Sequence, residues 1–190
     1  MTAQQGGDLS VEVKELRGRP GTLETLTRTV PMPAEFSTVL IGLPAGEDLE
    51  LDLRLESVHE GVLVTGTASA RAQGQCGRCL DELAYPLTVD VMQLFTYPER
   101  AETDSEDEEE RLVTDGLTVE LEPVLRDLMV SALPFRPVCR EDCPGLCSQC
   151  GFRMEDDPDH AHEQIDPRWA ALAGLAEDLE GSEDEDGRRG

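Results

Sequence analysis

The sequence has few basic and few aromatic residues. Its 190 residues include 16 lysines and arginines against 41 aspartates and glutamates, for a formal net charge of −25, and only 4% are aromatic. This balance argues against a generic binder of nucleic-acid backbones, because such proteins usually carry a basic face. The acidity favours basic partners instead, although a solvated surface without any partner would have the same composition.

The sequence also lacks a long apolar run. No stretch approaches the roughly 20 apolar residues that span a bilayer. The string MTAQQGGDLSVEVKEL lacks the basic flank and apolar run of an export signal. We therefore expect a cytoplasmic protein in a reducing compartment. There, six cysteines are more often metal ligands than disulfide partners.

Catalytic motifs are missing as well. The sequence contains no Gly-rich phosphate loop, no GxSxG and no HExxH string. Paired carboxylates are abundant, but in so acidic a chain they carry little information. We therefore expect a protein that is not an enzyme.

Three runs of alternating residues predict β-strands. The run LELDLRLESV, which begins at Leu49, places leucines on one face and charged residues on the other, as in a half-buried strand. GVLVTGTASARA, which begins at Gly61, and AYPLTVDVMQLFTY, residues 84–97, form the second and third runs. Their short links predict an antiparallel meander. Shorter strands are expected over residues 9–16 and near residues 39–41.

Helical spacing follows the strands. Apolar residues recur every three or four positions over residues 121–133, with Pro123 in the first turn and Pro134 at the end. A second helix is predicted in DPRWAALAGLAEDLEG, where Pro167 suits the first turn. The predicted fold class is α+β, with a mainly antiparallel β-sheet, one or two packed helices and a C-terminal zinc-binding segment.

Charge and cysteine content divide the chain. Residues 1–137 are predicted to form a β-rich domain that is interrupted near residues 99–110 by an acidic loop. Residues 138–180 are predicted to form a Cys/His zinc-binding segment with the C-terminal helix. Residues 181–190 are predicted to be a disordered acidic tail, because clustered charge without apolar residues cannot build a core.

The cysteines and two of the histidines have metal-ligand spacing. The candidate metal ligands are Cys76, Cys79, Cys139, Cys143, Cys147, Cys150, His160 and His162. GLCSQCGF has two residues between its cysteines and a glycine after them, which is typical of a zinc knuckle. QCGRCL has the same spacing between two strands, and a redox dithiol or two inert buried cysteines are its alternatives. For the two histidines of DHAH, a solvated pair is the alternative, and His59 is expected to be simply exposed.

Eight ligands suffice for two tetrahedral sites. In one pairing the first four candidate cysteines share an ion, while Cys147 and Cys150 join His160 and His162. The competing arrangement is a single site built from Cys139, Cys143, Cys147 and Cys150. Because the protein would supply every ligand, no position would remain for water, and such a closed site is structural. Loss of the metal would then unfold the module.

Three strings together resemble the YceD family, the large ribosomal RNA subunit accumulation protein family. They are LESVHEGVLVTGTASARAQGQCGRCLDEL, ALPFRPVCREDCPGLCSQCG and IDPRWAALAGL, and the resemblance extends over about residues 11–175. Many family members carry a CxC pair where this sequence has His160 and His162. Exchanging thiolate for imidazole preserves a tetrahedral zinc site. Some family members lack the later cysteines, so the second site is not essential to the shared activity.

The resemblance implies a non-enzymatic role in ribosome biogenesis, in the accumulation or assembly of large-subunit (23S) ribosomal RNA. The implied partner is ribosomal RNA or a basic ribosomal protein, and the family's gene neighbourhood suggests ribosomal protein L32. The acidity of the chain fits a basic protein better than naked RNA. One alternative is a redox- or zinc-responsive regulatory protein that uses Cys76 and Cys79. A weaker alternative is an enzyme that processes ribosomal RNA.

Overall fold

The computed structural model describes residues 9–99 and 117–162. The chain divides into two compact units, Met1–Gly145 and Leu146–Gly190. The predicted C-terminal helix and acidic tail lie outside the described residues, as does the predicted acidic loop apart from Glu99. The division falls after Gly145 rather than after residue 137, and the predicted domain boundaries stay predictions.

Eight strands and one helix make up the described part of the first unit. They are β1 (Ser10–Glu12), β2 (Leu23–Pro31), β3 (Phe36–Ser37), β4 (Ile41–Leu43), β5 (Asp48–Ser57), β6 (Gly61–Gln75), β7 (Glu82–Thr96), β8 (Thr118–Glu120) and α1 (Glu122–Ala132). β5, β6 and β7 pair in succession as antiparallel neighbours, which confirms the predicted meander. The α+β class is confirmed, with one helix among the described residues.

The main sheet has six strands. β2 pairs with the edge of β5 that faces away from β6. β4 pairs with the C-terminal end of β6, at Gln73 and Gly74, and β3 pairs with β4 in turn. β1 and β8 form a separate two-stranded sheet. Pro86 lies in β7, which pairs with β6 alone among the described strands. An edge position of this kind tolerates the missing N–H of proline.

One face of the sheet carries the core. Along β5 the leucines are buried and the residues between them are largely exposed, as the alternation predicted. Helix α1 covers this face with Val124, Leu125 and Met129, all buried. The guanidinium of Arg126 lies 4.3 Å from the ring centre of Phe36, which fixes the helix against β3. Pro123 lies in its first turn, and Pro134 follows its end, as predicted.

β2 was not predicted from the sequence. Its half-buried face includes Glu24 and Arg28 beside Leu26 and Val30, so the hydrophobic alternation is weak. It also forms an edge of the sheet, because among the described strands it pairs with β5 alone. A strand of this kind requires fewer apolar residues than a central strand.

None of the helices in the described ranges is long and apolar enough to cross a membrane.

Candidate metal centres

Four thiols meet at the turn of the β6–β7 hairpin. The Sγ atoms of this four-thiol group lie within 4.8 Å of one another; its members are Cys76, Cys79, Cys139 and Cys143. Cys76 and Cys79 belong to the turn itself, and the other two follow α1 along the chain. The fold therefore brings a CxxC pair together with a CxxxC pair that lies about 60 residues later in the sequence.

The sulfur–sulfur distances distinguish a metal site from a disulfide. Cys76 Sγ lies 3.9 Å from Cys143 Sγ, and Cys79 Sγ lies 3.7 Å from Cys139 Sγ. A disulfide needs about 2.05 Å, and all six cysteines are free. A tetrahedron with zinc–sulfur bonds of about 2.3 Å has edges of about 3.8 Å. The four thiols therefore have the spacing to hold one tetrahedral ion.

Hydrogen bonds hold the two halves of this group together. The N–H of Gly77 donates to the carbonyl of Pro137, with an N···O distance of 2.7 Å. Nη1 of Arg78 donates to the carbonyls of Glu141 and Cys143, at 3.1 Å and 2.9 Å. These bonds position the segment after α1 against the hairpin turn. The group is thus preorganised by the surrounding backbone.

Burial and neighbouring groups alter the acidity of these thiols in opposite directions. Burial raises the pKa of Cys76, but hydrogen bonds from the backbone N–H groups of Cys79 and Arg78 lower it by more. The resulting pKa is about 6. The N–H of Asp81 lowers the pKa of Cys79, whereas burial and the neighbouring thiols raise it, to about 12. The pKa of Cys139 is also raised, chiefly by the side chain of Cys143. Four thiolates cannot share this space without a cation to offset their repulsion.

A second group lies within the second unit. Its ligand atoms also fall within 4.8 Å of one another; the members of this thiol–imidazole group are Cys147, Cys150, His160 and His162. An antiparallel bridge between Leu146 and Arg153 closes the turn that carries both cysteines. The backbone N–H groups of Gln149 and Cys150 lower the pKa of Cys147 to about 7.

The imidazoles approach the thiols through their Nε2 atoms. Cys150 Sγ lies 3.2 Å from Nε2 of both His160 and His162, and the two Nε2 atoms are 2.9 Å apart. Ideal zinc geometry gives about 3.5 Å and 3.3 Å for these edges, so the group is slightly tighter than ideal. A hydrogen bond between the imidazoles would explain the nitrogen–nitrogen distance alone. A shared metal explains the convergence of all four ligand atoms.

His160 is held in place by its neighbours. The ring of Phe152 stacks on it, with centroids 4.6 Å apart and planes at 27°. Its backbone N–H donates to the carbonyl of Asp157 at 3.1 Å. The thiol–imidazole group is nevertheless open to solvent, because Cys150 and His162 are exposed. In the four-thiol group, Cys139 alone is exposed.

The two CxxC turns share one backbone conformation. The residue after the second cysteine is left-handed in each, with φ of 63° at Leu80 and 74° at Gly151. Its N–H donates to the carbonyl of the first cysteine at 2.9 Å in both turns. Glycine adopts this φ without a steric cost, whereas leucine does not. Leu80 is 54% exposed, so burial of its side chain does not explain its presence.

The structure brings the eight candidate ligands together in the two sets of four that the sequence pairing gave. The competing single site, which combined Cys139 and Cys143 with Cys147 and Cys150, is not one of these sets. His59 is exposed in the turn before β6, as expected. Sequence reasoning missed the role of Arg78, since a bond from a side chain to distant carbonyls leaves no local pattern.

Comparison with known proteins identifies one family and several similar proteins. The family model described as "Large ribosomal RNA subunit accumulation protein YceD" matches residues 64–176. Proteins of Mycobacterium tuberculosis and Mycobacterium bovis, both described as uncharacterized, are 47% identical over 178 residues, covering 92% of this chain and 85% of each relative. A Mycobacterium leprae protein, also described as uncharacterized, is 41% identical over 180 residues, covering 94% of this chain and 82% of the relative. No solved structure gave a significant match.

Proposed function

Because the chain belongs to the YceD family of large ribosomal RNA subunit accumulation proteins, we propose that it is a non-enzymatic factor of ribosome biogenesis. It supports the accumulation or assembly of large-subunit ribosomal RNA in the cytoplasm. The family match over residues 64–176 is the observation that carries this proposal. The mycobacterial relatives match 92% of this chain, so the sequence similarity extends beyond the residues that the family model covers.

The metal in this proposal is structural zinc. Each group offers four soft or borderline donors that lie within 4.8 Å of one another, and thiolate with imidazole is the donor set that zinc prefers. All four ligands of each ion come from the protein, so no position is left for a reacting water. Zinc in the four-thiol group would fasten the hairpin turn to the segment after α1. Zinc in the thiol–imidazole group would stabilise a loop that has no regular strand or helix among its described residues.

The proposed partner is a basic ribosomal protein, with ribosomal protein L32 as the first candidate, or the ribosomal RNA itself. The formal net charge of −25 supports the protein over the RNA. A cationic chain is attracted to such a surface from a distance, whereas a phosphate backbone is repelled.

Depletion of the protein from its cells tests the proposal. We expect the ratio of large-subunit to small-subunit ribosomal RNA to fall, and free large subunits to decrease in a sucrose gradient. Re-expression of the wild-type chain should restore both. A Cys76→Ser/Cys79→Ser chain should restore them less well, because the four-thiol group would lose half of its ligands. An unchanged ratio of the two RNAs after depletion would contradict the proposal.

A redox role for Cys76 and Cys79 is the competing function. The four-thiol grouping supports a metal site instead, because both sulfurs lie beside those of Cys139 and Cys143. Rapid alkylation of cell extracts followed by mass spectrometry separates the two functions. The zinc proposal predicts that this pair is reduced in growing cells and in cells under mild oxidant. A disulfide that forms and reverses between Cys76 and Cys79 would favour the redox function.

A further inference from the structure

An apolar groove lies beside the four-thiol group in the first unit. It encloses about 850 Å³, and Val39, Leu40, Phe135 and Val138 form its apolar lining. Three of these side chains are exposed, with Val39 at 98%, Phe135 at 86% and Val138 at 39%. Single exposed apolar residues are ordinary, but several around one concavity mark an interaction surface.

The loops around this groove are held in place before any partner binds. In the β3–β4 turn, both the N–H and the hydroxyl of Thr38 donate to the carbonyl of Ile41, at 2.8 Å and 3.0 Å. Pro134 and Pro137 flank the pair of Phe135 and Arg136, so the backbone there has little freedom. The carbonyl of Pro137 is also bound by the hairpin turn. A partner would therefore lose less entropy in ordering this surface.

The charge of the groove differs from that of the chain. Its charged lining residues are Arg78, Arg136 and Glu141, two positive and one negative, in a chain of net charge −25. Several other arginines pair with carboxylates, as Arg126 does with Glu122 at 3.0 Å. The Arg78 guanidinium instead donates to the backbone carbonyls of Glu141 and Cys143, and Arg136 makes no ion pair with any described residue.

We propose that this groove binds a segment of a partner protein that inserts apolar side chains between Val39 and Phe135 and places a carboxylate against Arg136. The inference goes beyond the proposed function, because it concerns a second partner whose charge is opposite to that of a basic ribosomal protein. Arg136, which has no carboxylate partner among the described residues, favours an anionic group. The lining of three aliphatic residues and one phenylalanine favours apolar side chains over nucleobases. Single-stranded RNA fits less well, because it needs several cations and several stacking rings. A second copy of this chain also fits less well, because two chains that each carry a net charge of −25 repel each other.

Random peptides displayed on phage are the probe for this proposal. The full zinc-loaded chain is used for selection at physiological salt, and enriched peptides are synthesised for fluorescence-anisotropy titration. We expect enriched peptides to combine aromatic or aliphatic residues with aspartate or glutamate. Phe135→Ser and Val39→Ser should each weaken binding about tenfold, as is typical for a residue at the centre of an interface. Arg136→Glu should weaken binding as much and should shift a repeated selection toward lysine and arginine.

Met92→Ser is the matched control, because Met92 is 79% exposed on the opposite face of the sheet from the core. It should leave every affinity unchanged. All four variants alter exposed side chains, so circular dichroism and zinc content should match the wild type. Enriched peptides that are basic, or peptide binding that is insensitive to Phe135→Ser, would overturn the proposal. So would a Phe135-dependent affinity for an oligouridine, or a dimer in sedimentation that Phe135→Ser dissociates.

Discussion

Leu80 and Gly151 occupy the same backbone position in the two CxxC turns. Both are left-handed, and both N–H groups bind the carbonyl of the first cysteine. For a residue with a Cβ, this conformation costs about 1 kcal/mol. The first turn therefore bears a strain that the second avoids, although its thiols are the more buried of the two sets.

Replacing Leu80 by glycine is expected to stabilise the zinc-loaded protein by about 1 kcal/mol, because glycine relieves the left-handed strain. Little packing would be lost, since the leucine is 54% exposed. Chemical denaturation of the loaded protein measures the change. Leu80→Ala is the control, because alanine keeps the Cβ and should give no gain. Equal losses of stability in both variants would show that contacts of the leucine outweigh its strain.

The ligand residues could be predicted from the sequence alone, because a CxxC turn directs both thiols to one side and depends only on neighbouring residues. The pairing of QCGRCL with CREDC depended on counting ligands, and the structure places those thiols together. The carbonyl contacts of Arg78 could not be predicted in this way. They exist only because the fold brings residues 141–143 to the hairpin turn.

At the scale of elements, the four-thiol group joins the β6–β7 turn to the segment after α1, at one end of a sheet that has its own core. Three of the cysteines, Cys76, Cys79 and Cys143, form a small buried cluster that meets the main cluster of sheet and helix residues through the partly buried Leu83. Regions with few apolar contacts open at lower free energy than the core. Metal binding should therefore stabilise the turn more than it stabilises the sheet.

Removal of metal with a strong chelator is expected to raise hydrogen exchange at residues 76–81 and 137–143. Amides of residues 51–55 in β5 should stay protected, because the leucines there are at most 2% exposed. Mass spectrometry of peptides from the chelated and the zinc-loaded protein gives the comparison. If β5 exchanges together with the turn, the metal supports the whole sheet and the local account is wrong.

Helix α1 is expected to depend on Leu125 for its attachment to the sheet. Leu125 is fully buried, so Leu125→Ala should destabilise the protein by about 3 kcal/mol through lost burial and a cavity. Leu128→Ala should cost less, since Leu128 is only partly buried against the core. Urea denaturation of both variants measures the difference. Equal costs would contradict the orientation of the helix.

Periodicity predicted the elements whose two faces differ most. The leucines of β5 and the stripe of α1 alternate between core and solvent, so their sequence shows the pattern directly. β2 was missed because Glu24 and Arg28 share its half-buried face. β4 was placed slightly early, near residues 39–41, because Val39 looks like a strand residue although it projects into solvent from a turn.

For the whole molecule, the groove shows what sequence patterns cannot supply. Its lining comes from the β3–β4 turn, the β6–β7 turn and the segment after α1. The first and the last contribute two apolar side chains each, and the β6–β7 turn contributes Gly77 and Arg78. Apart from the metal-ligand spacing of the cysteines, none of these segments carries a recognisable binding motif. Only the antiparallel sheet, with α1 packed on it, brings them to one place.

The net charge predicts how the whole molecule meets a basic partner. If purified ribosomal protein L32 binds, its affinity should fall several-fold when the salt concentration rises from about 0.05 M to 0.3 M, because the screening length shortens. Titration by calorimetry at several salt concentrations measures this slope. Affinity that does not vary with salt would contradict a contact governed by the acidic surface.

The central claim is that the chain holds two structural zinc ions, one in the four-thiol group and one in the thiol–imidazole group, with all four ligands of each ion supplied by the protein. Native mass spectrometry, with elemental analysis of the same sample, tests it most directly. The account predicts two zinc ions per chain, one in a His160→Ala/His162→Ala variant and one in a Cys76→Ser/Cys79→Ser variant, because each pair belongs to a different group. A single zinc ion that is unchanged by the two histidine replacements would contradict it.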